Sequence, residues 1–153
     1  MLVVGRAGSL LEAAVAEYER RAGRYWSLEV VAVRAAPGRG AEIEEVRRTE
    51  SERLLERVPA GFDMVALTRT GEPWSSKGLA EYLSGLASAG AAGAAFLVGG
   101  AFGLSDAVVT RARQRLSLSP MTLPHELARL VLAEQLYRAG TIVRGEPYHK
   151  GGG

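Results

Sequence analysis

Short apolar runs alternate with longer amphipathic stretches along this chain of 153 residues. Leu2-Val3-Val4-Gly5 reads as a buried strand stopped by glycine. Residues 9–23 then place Leu10, Ala13/Ala14, Glu17/Tyr18 and Arg21 at helical spacing. Residues 28–33 are β-branched and short, and Ala35-Ala36-Pro37-Gly38-Arg39-Gly40 follows as a loop punctuated by proline and glycine. Residues 41–57 carry six Glu against four Arg around the apolar positions Ile43, Val46, Leu54 and Leu55. That pattern predicts an amphipathic helix with intrahelical ion pairs and a solvated acidic face.

The second half repeats the alternation. Met64-Val65-Ala66-Leu67 predicts a strand ended by turn material, Arg69-Thr70-Gly71-Glu72-Pro73, and Ser75 starts a helix through Leu79, Tyr82, Leu83 and Leu86. Residues 87–93, rich in alanine and glycine, connect that helix to a fourth strand, Ala94-Ala95-Phe96-Leu97-Val98. After Gly99-Gly100-Ala101-Phe102-Gly103, the Ser105 hydroxyl can cap a further helix, with Asp106 favourable in its first turn. Residues 116–125 are weakly polar and run between Pro120 and Pro124 into a strongly apolar helix, residues 126–139, that must be covered by the sheet, a partner subunit or both. Strands alternating with helices predict an α/β fold with a largely parallel sheet. Ligands of such sheets sit beyond the carboxyl ends of the strands, which singles out the loops after Leu67 and Val98.

Composition changes this picture little. The 47% hydrophobic and 24% charged fractions are those of ordinary globular proteins. No apolar run reaches membrane-spanning length, and the first residues lack a signal-peptide layout, so a cytoplasmic location is expected. With no cysteine, and with His125 and His149 far apart, no metal site is expected. One domain over residues 1–150 is expected, with a disordered glycine tail at 151–153. Charge matters more: the net +2 divides into +2 for residues 1–40, −3 for 41–104 and +3 for 105–153. A basic excess at both ends suits a phosphate-bearing partner and equally an ordinary solvated surface.

Several residues carry candidate chemistry beside a plainer role. Gly99, Gly100 and Gly103 lack dinucleotide or P-loop spacing, yet adjacent glycines at a strand end let a ligand approach the backbone; turn geometry alone also explains them. Met121 and Leu123 suit either core packing or the wall of a pocket. Glu134 and Arg138 stand at i,i+4, so Arg138 is as well suited to an ion pair as to substrate, while Arg129 has Glu126 and Glu134 only at looser spacing. The ending Arg144-Gly145-Glu146-Pro147-Tyr148-His149-Lys150 combines guanidinium, aromatic, imidazole and amine groups suited to phosphate contact and base stacking.

Four ordered blocks closely resemble the bacterial 23S rRNA pseudouridine N3-methyltransferase family of the SPOUT class. They are residues 97–104, residues 116–125, Val131-Leu132-Ala133-Glu134-Gln135-Leu136-Tyr137-Arg138-Ala139, and the ending from Arg144 to Lys150. The resemblance runs from residue 1 to Lys150. It implies a parallel α/β sheet whose carboxyl-terminal segment forms a trefoil knot, in a homodimer that uses S-adenosyl-L-methionine (SAM) and acts on N3 of a pseudouridine in large-subunit 23S rRNA. By that resemblance SAM contacts Leu67, Gly99 and Leu118, Ser119, Pro120, Met121, Thr122 and Leu123, with Gly100 and Gly103 completing the glycine loop. Arg144, Tyr148, His149 and Lys150 become RNA-binding candidates, and His149, Arg138, Arg129 and Tyr148 catalytic ones. His149 is the expected base for the imide proton, with Arg138 or Arg129 alternatively stabilising the deprotonated imide.

The chain departs from the family in a shorter first strand, in three extra glycines, and in Thr68-Arg69 where an acidic residue commonly follows the leucine. The last departure puts in doubt an acidic contact to the positive methionine end of SAM. Two other readings stand beside this one: a SPOUT enzyme acting on another RNA such as tRNA, and a non-catalytic ribosome-assembly protein that binds RNA.

Overall fold

The computed structural model describes residues 1–148. Five parallel strands, β1 (Leu2–Val4), β2 (Val31–Val33), β3 (Asp63–Pro73), β4 (Ala94–Val98) and β5 (Gln114–Ser117), form one sheet in the order β2-β1-β4-β3-β5. The helices are α1 (Glu12–Ala22), α2 (Ile43–Leu55), α3 (Ser76–Ser88), α4 (Asp106–Arg111) and α5 (His125–Val143). The expected parallel α/β sheet is therefore present.

Period-two alternation divides the strand residues between two apolar layers. Val3, Val65, Phe96, Val98 and Leu116 pack with Ala22 of α1, Leu79 and Ala80 of α3, and Leu132, Leu136 and Ala139 of α5. Leu2, Val4, Met64, Ala66, Ala95 and Leu97 face the other way, onto Leu54 of α2 and Leu104 and Val108 beside and within α4. Because both faces are covered, the strands read as continuous apolar runs.

Several boundaries differ from the expectation. The first helix begins at Glu12 rather than Ser9, because Leu11 and Glu12 donate their N–H groups to Gly8 in a preceding turn. β2 retains only residues 31–33 of the expected 28–33. The strand expected to stop at Leu67 continues to Pro73. Leu67 and Glu72 both pair with Leu116, so residues 68–71 leave the ladder as an excursion and the chain then rejoins β5. Gly71 makes this possible, since a Cβ there would stand 2.6 Å from the Arg115 carbonyl oxygen. β5 itself was hidden in sequence, because an edge strand of four residues with exposed Arg115 has too little apolar patterning to stand out. The last helix extends at both ends, from His125 to Val143.

The Ser105 cap is formed as expected, and Ser75, read as the start of its helix, is in fact its cap; each hydroxyl accepts an N–H three residues on. The acidic face of α2 is solvated at Glu42, Glu44, Glu45, Glu52 and Glu56, as expected, but Glu50 departs from it and is buried with Ser51. Helical spacing marks one apolar stripe, but α2 also meets the loops above the sheet.

Candidate active site

β4, β3 and β5 lie side by side, and the loops after β4 and β5, with Leu67 at the edge of the excursion inside β3, hold every cofactor candidate. Leu67 ends the regular pairing of β3, Gly99, Gly100 and Gly103 follow β4, and residues 118–123 follow β5. The glycine loop is tight. Gly103 donates its N–H to the Gly100 carbonyl, and a Cβ on Gly99 would stand 2.5 Å from the Gly103 carbonyl carbon. Gly103 has φ +77°, the left-handed region that glycine adopts without strain.

The excursion after β3 and the loop after β5 are tied together. The Ser117 hydroxyl bonds to the carbonyls of Arg69 and Ser119, both at 3.1 Å, and Arg69 Nη1 donates to Thr122 Oγ1 at 3.1 Å. Arg69, the residue that departs from the family pattern, thus braces the far side of the loop. Ser119 Oγ accepts the Met121 N–H, while the Met121 side chain is 76% exposed, which removes core packing as its role. Leu67 and Leu118 pack on the edge of the core and Leu123 is half-buried. The result is an apolar-walled shelf with backbone groups along it, a surface suited to an adenine and an amino-acid moiety.

A narrow cleft adjoins the shelf between β1, β4 and the start of α5, lined by Val3, Val4, Arg6, Ala7, Val98, Gly99, His125, Glu126 and Arg129. Arg129 pairs there with Glu19 of α1 at 2.7 Å, the two side chains 14% and 16% exposed. The sequence offered Glu126 and Glu134 as its partners, and the real one lies 110 positions away. Arg6 and His125 were not singled out as site residues. Both could have been noticed as polar groups at the ends of apolar elements, the position where α/β sheets hold ligands.

The remaining candidates gather at the other end of α5. Arg138 bonds Glu134 at 2.7 Å, the expected i,i+4 pair, and its guanidinium lies 4.9 Å from the centre of the Tyr148 ring. Tyr148 stacks obliquely on Tyr137 at 4.6 Å and donates its hydroxyl to Glu134 at 3.2 Å. Burial, with the neighbouring Tyr18 and Glu134, pushes the Tyr148 phenol above its usual range, so it is a donor and not a base at neutral pH. Glu134 in turn raises the Arg138 pKa. Arg144 lies 4.7 Å over the ring of Tyr25, whose hydroxyl bonds Glu146. His149 and Lys150 lie outside the described residues.

Arg138 stands thirteen residues along α5 from His125, roughly 20 Å at the helical rise. Within one chain the shelf and the tail cluster are therefore apart. Among the described residues no group of acidic and histidine side chains could hold a metal, and no helix is long and apolar enough to cross a membrane.

Comparison with known proteins identifies the family. Residues 1–149 match the family model described as "Predicted SPOUT methyltransferase". A protein of Gemmatimonas aurantiaca named ribosomal RNA large subunit methyltransferase H is 50% identical, over 98% of this chain and 97% of its own length. Proteins of the same name from Listeria monocytogenes serotype 4a and Bacillus pumilus are 44% and 42% identical, covering 89% and 92% of this chain and 88% and 91% of theirs. A parallel α/β sheet, in a chain matched by one family model along nearly its whole length, makes this chain a member of the SPOUT methyltransferase family.

Proposed function

We propose that this protein transfers a methyl group from SAM to N3 of a pseudouridine in 23S rRNA of the large ribosomal subunit. The reading is supported by strand order, which sets Leu67, the Gly99–Gly103 loop and residues 118–123 on or after neighbouring strands of one sheet. The shelf fits SAM: the glycines leave backbone exposed, Leu67 and Leu118 offer an apolar wall, and the Met121 side chain is uncommitted. When bound, SAM supplies an electrophilic methyl carbon on a sulfonium. The trefoil threading implied by the family resemblance would lie where the 68–71 excursion and the 117–122 loop are bonded together.

The chain's own residues then have to hold the imide nitrogen in line and remove its proton. Arg129, beside Gly99, is placed to orient the uracil face or stabilise its anion, with Glu19 fixing its direction. Arg138, Arg144 and Tyr148 offer cations and an aromatic ring for phosphate and base contact. Tyr148 remains protonated, and among the catalytic candidates drawn from the family resemblance we assign His149 as the base.

The distance along α5 is why we place the site between two copies in a homodimer, the tail of one reaching the shelf of the other. Leu127, Leu130 and Val131 of α5 are only half-buried in one chain, which supports a covered face there. A domain this small has little surface with which to read RNA alone, so an assembled subunit or ribosome is the expected partner, and the cytoplasm the expected location.

Methyl transfer from labelled SAM to ribosomes lacking the modification, with mass-spectrometric mapping of the nucleoside, tests the reading. A 3-methylpseudouridine in large-subunit RNA supports it. Label in another RNA overturns the substrate, and failure to bind SAM favours an assembly factor. Replacement of His149 by Ala should lower turnover at saturating RNA and leave SAM affinity nearly unchanged.

A further inference from the structure

Glu50 is the most buried acidic side chain among the described residues, 4% exposed on α2. Its Oε1 accepts the Ala36 N–H at 3.0 Å, which anchors the segment after β2. Its Oε2 is buried with no hydrogen-bond partner among the described residues. That oxygen bears on Gly100, where any Cβ would collide with it, and Val4 closes the same space. The next residue, Ser51, accepts the Ser105 N–H at 2.9 Å. Consecutive residues of α2 therefore sit under the beginning and the end of the glycine loop.

Among the described residues no salt bridge reaches Glu50. Arg47, one turn earlier, is bonded to Glu44, and its own Nε is likewise buried without a partner. Arg53 donates to the Arg34 carbonyl. On the far side of the loop, Arg129 is paired with Glu19 and Arg6 is exposed. A buried acceptor with no donor costs stability, so an oxygen left in that state beneath the glycine loop calls for an explanation.

We infer that Glu50 is a specificity-determining residue: its unpartnered carboxylate, set beneath Gly100, favours a cationic ligand on the glycine loop over the same ligand without its charge. The inference rests on the reading of that loop as the SAM site. SAM carries a sulfonium and becomes the neutral thioether S-adenosylhomocysteine once its methyl has left. A negative charge screened by protein rather than water acts across a backbone layer, so it favours the charged donor and lets the product leave. It also supplies negative potential at a site where Thr68 and Arg69 follow Leu67 instead of an acidic residue.

Calorimetric titration of the full chain with SAM and, separately, with S-adenosylhomocysteine tests this, on the unaltered protein and on Glu50→Gln and Gly100→Ala. Gln keeps the shape and the bond from Ala36 while removing the charge. Glu50→Gln should melt at the same or a higher temperature, bind SAM roughly tenfold more weakly, and bind S-adenosylhomocysteine almost unchanged. Gly100→Ala, which displaces the loop without removing the charge, should weaken both ligands together. A merely structural role for Glu50 predicts loss of melting temperature and equal weakening of both ligands, and either equal weakening or no weakening in Glu50→Gln overturns the inference. If the unaltered protein binds neither ligand, the SAM reading of the loop fails and this inference with it.

Discussion

Arg129 and Tyr148 show at the scale of single residues why position in the fold outweighs residue type. Both are polar side chains on or near α5, and both have partners that determine what they can do. The Arg129–Glu19 pair is largely buried, so removing one member leaves an uncompensated charge. Arg129→Ala should therefore lower stability by roughly 3 kcal/mol in urea denaturation, while Glu19→Ala/Arg129→Ala together should cost less than Arg129→Ala alone. Tyr148 is held protonated by burial and by Tyr18 and Glu134. Tyr148→Phe should lower methyl transfer while leaving the pH of half-maximal turnover between pH 6 and 9 where it is. A shifted midpoint would show that the phenol titrates in the reaction. Neither the Glu19 partner nor the contact of Tyr148 with Tyr137 was legible in sequence, since the first joins distant positions and the second depends on how the chain turns after α5. The Glu134–Arg138 pair was legible because helical spacing alone brings i and i+4 together.

Among the elements, α3 and α5 carry the clearest consequences. Tyr82 of α3 donates to Asp63 at the start of β3 at 2.6 Å, and burial with that bond raises its pKa well above 10. The folded protein thus keeps a proton that the unfolded chain releases, so the contribution is complete below about pH 10 and is lost as pH rises towards the folded value. Stability measured by denaturant between pH 9 and 11 should fall with pH, and the fall should be shallower in Tyr82→Phe. In α5, Gly140 lies directly against the ring of Tyr25, leaving no room for a Cβ. Gly140→Ala should cost about 1–3 kcal/mol by thermal or chemical unfolding despite alanine's better helix propensity, because overpacking outweighs it. Helix existence followed from periodicity in four cases and from the Ser105 cap in the fifth, whereas several helix starts moved by one to three residues where turns and caps intervened. β3 and β5 departed furthest, since an excursion and an edge strand are set by a partner strand and not by local pattern.

For the whole molecule, the separation of shelf and tail cluster along α5 is the dominant fact. If two copies complete each other, a variant with a damaged shelf, such as Gly99→Val, and a variant with a damaged tail, such as Tyr148→Ala, should each be inactive. Mixing and refolding them should restore part of the activity through heterodimers. No recovery, with heterodimers demonstrated by mass spectrometry, would place the complete site within one chain. Most of the architecture could be read beforehand: apolar runs of strand length between amphipathic stretches allow little besides a parallel sheet covered on both faces, and they direct attention to the loops after Leu67 and Val98. The ordered blocks around Gly99, Pro120, Glu134 and Tyr148 added the family. Only the tertiary structure decided that Arg69 braces Thr122, that Arg129 belongs to Glu19, that Met121 is free, and that a carboxylate on an apparently solvated helix lies buried under Gly100. Local periodicity reports which face of an element is apolar. Which distant groups meet above that face depends on strand order and loop path, and these have no local signature.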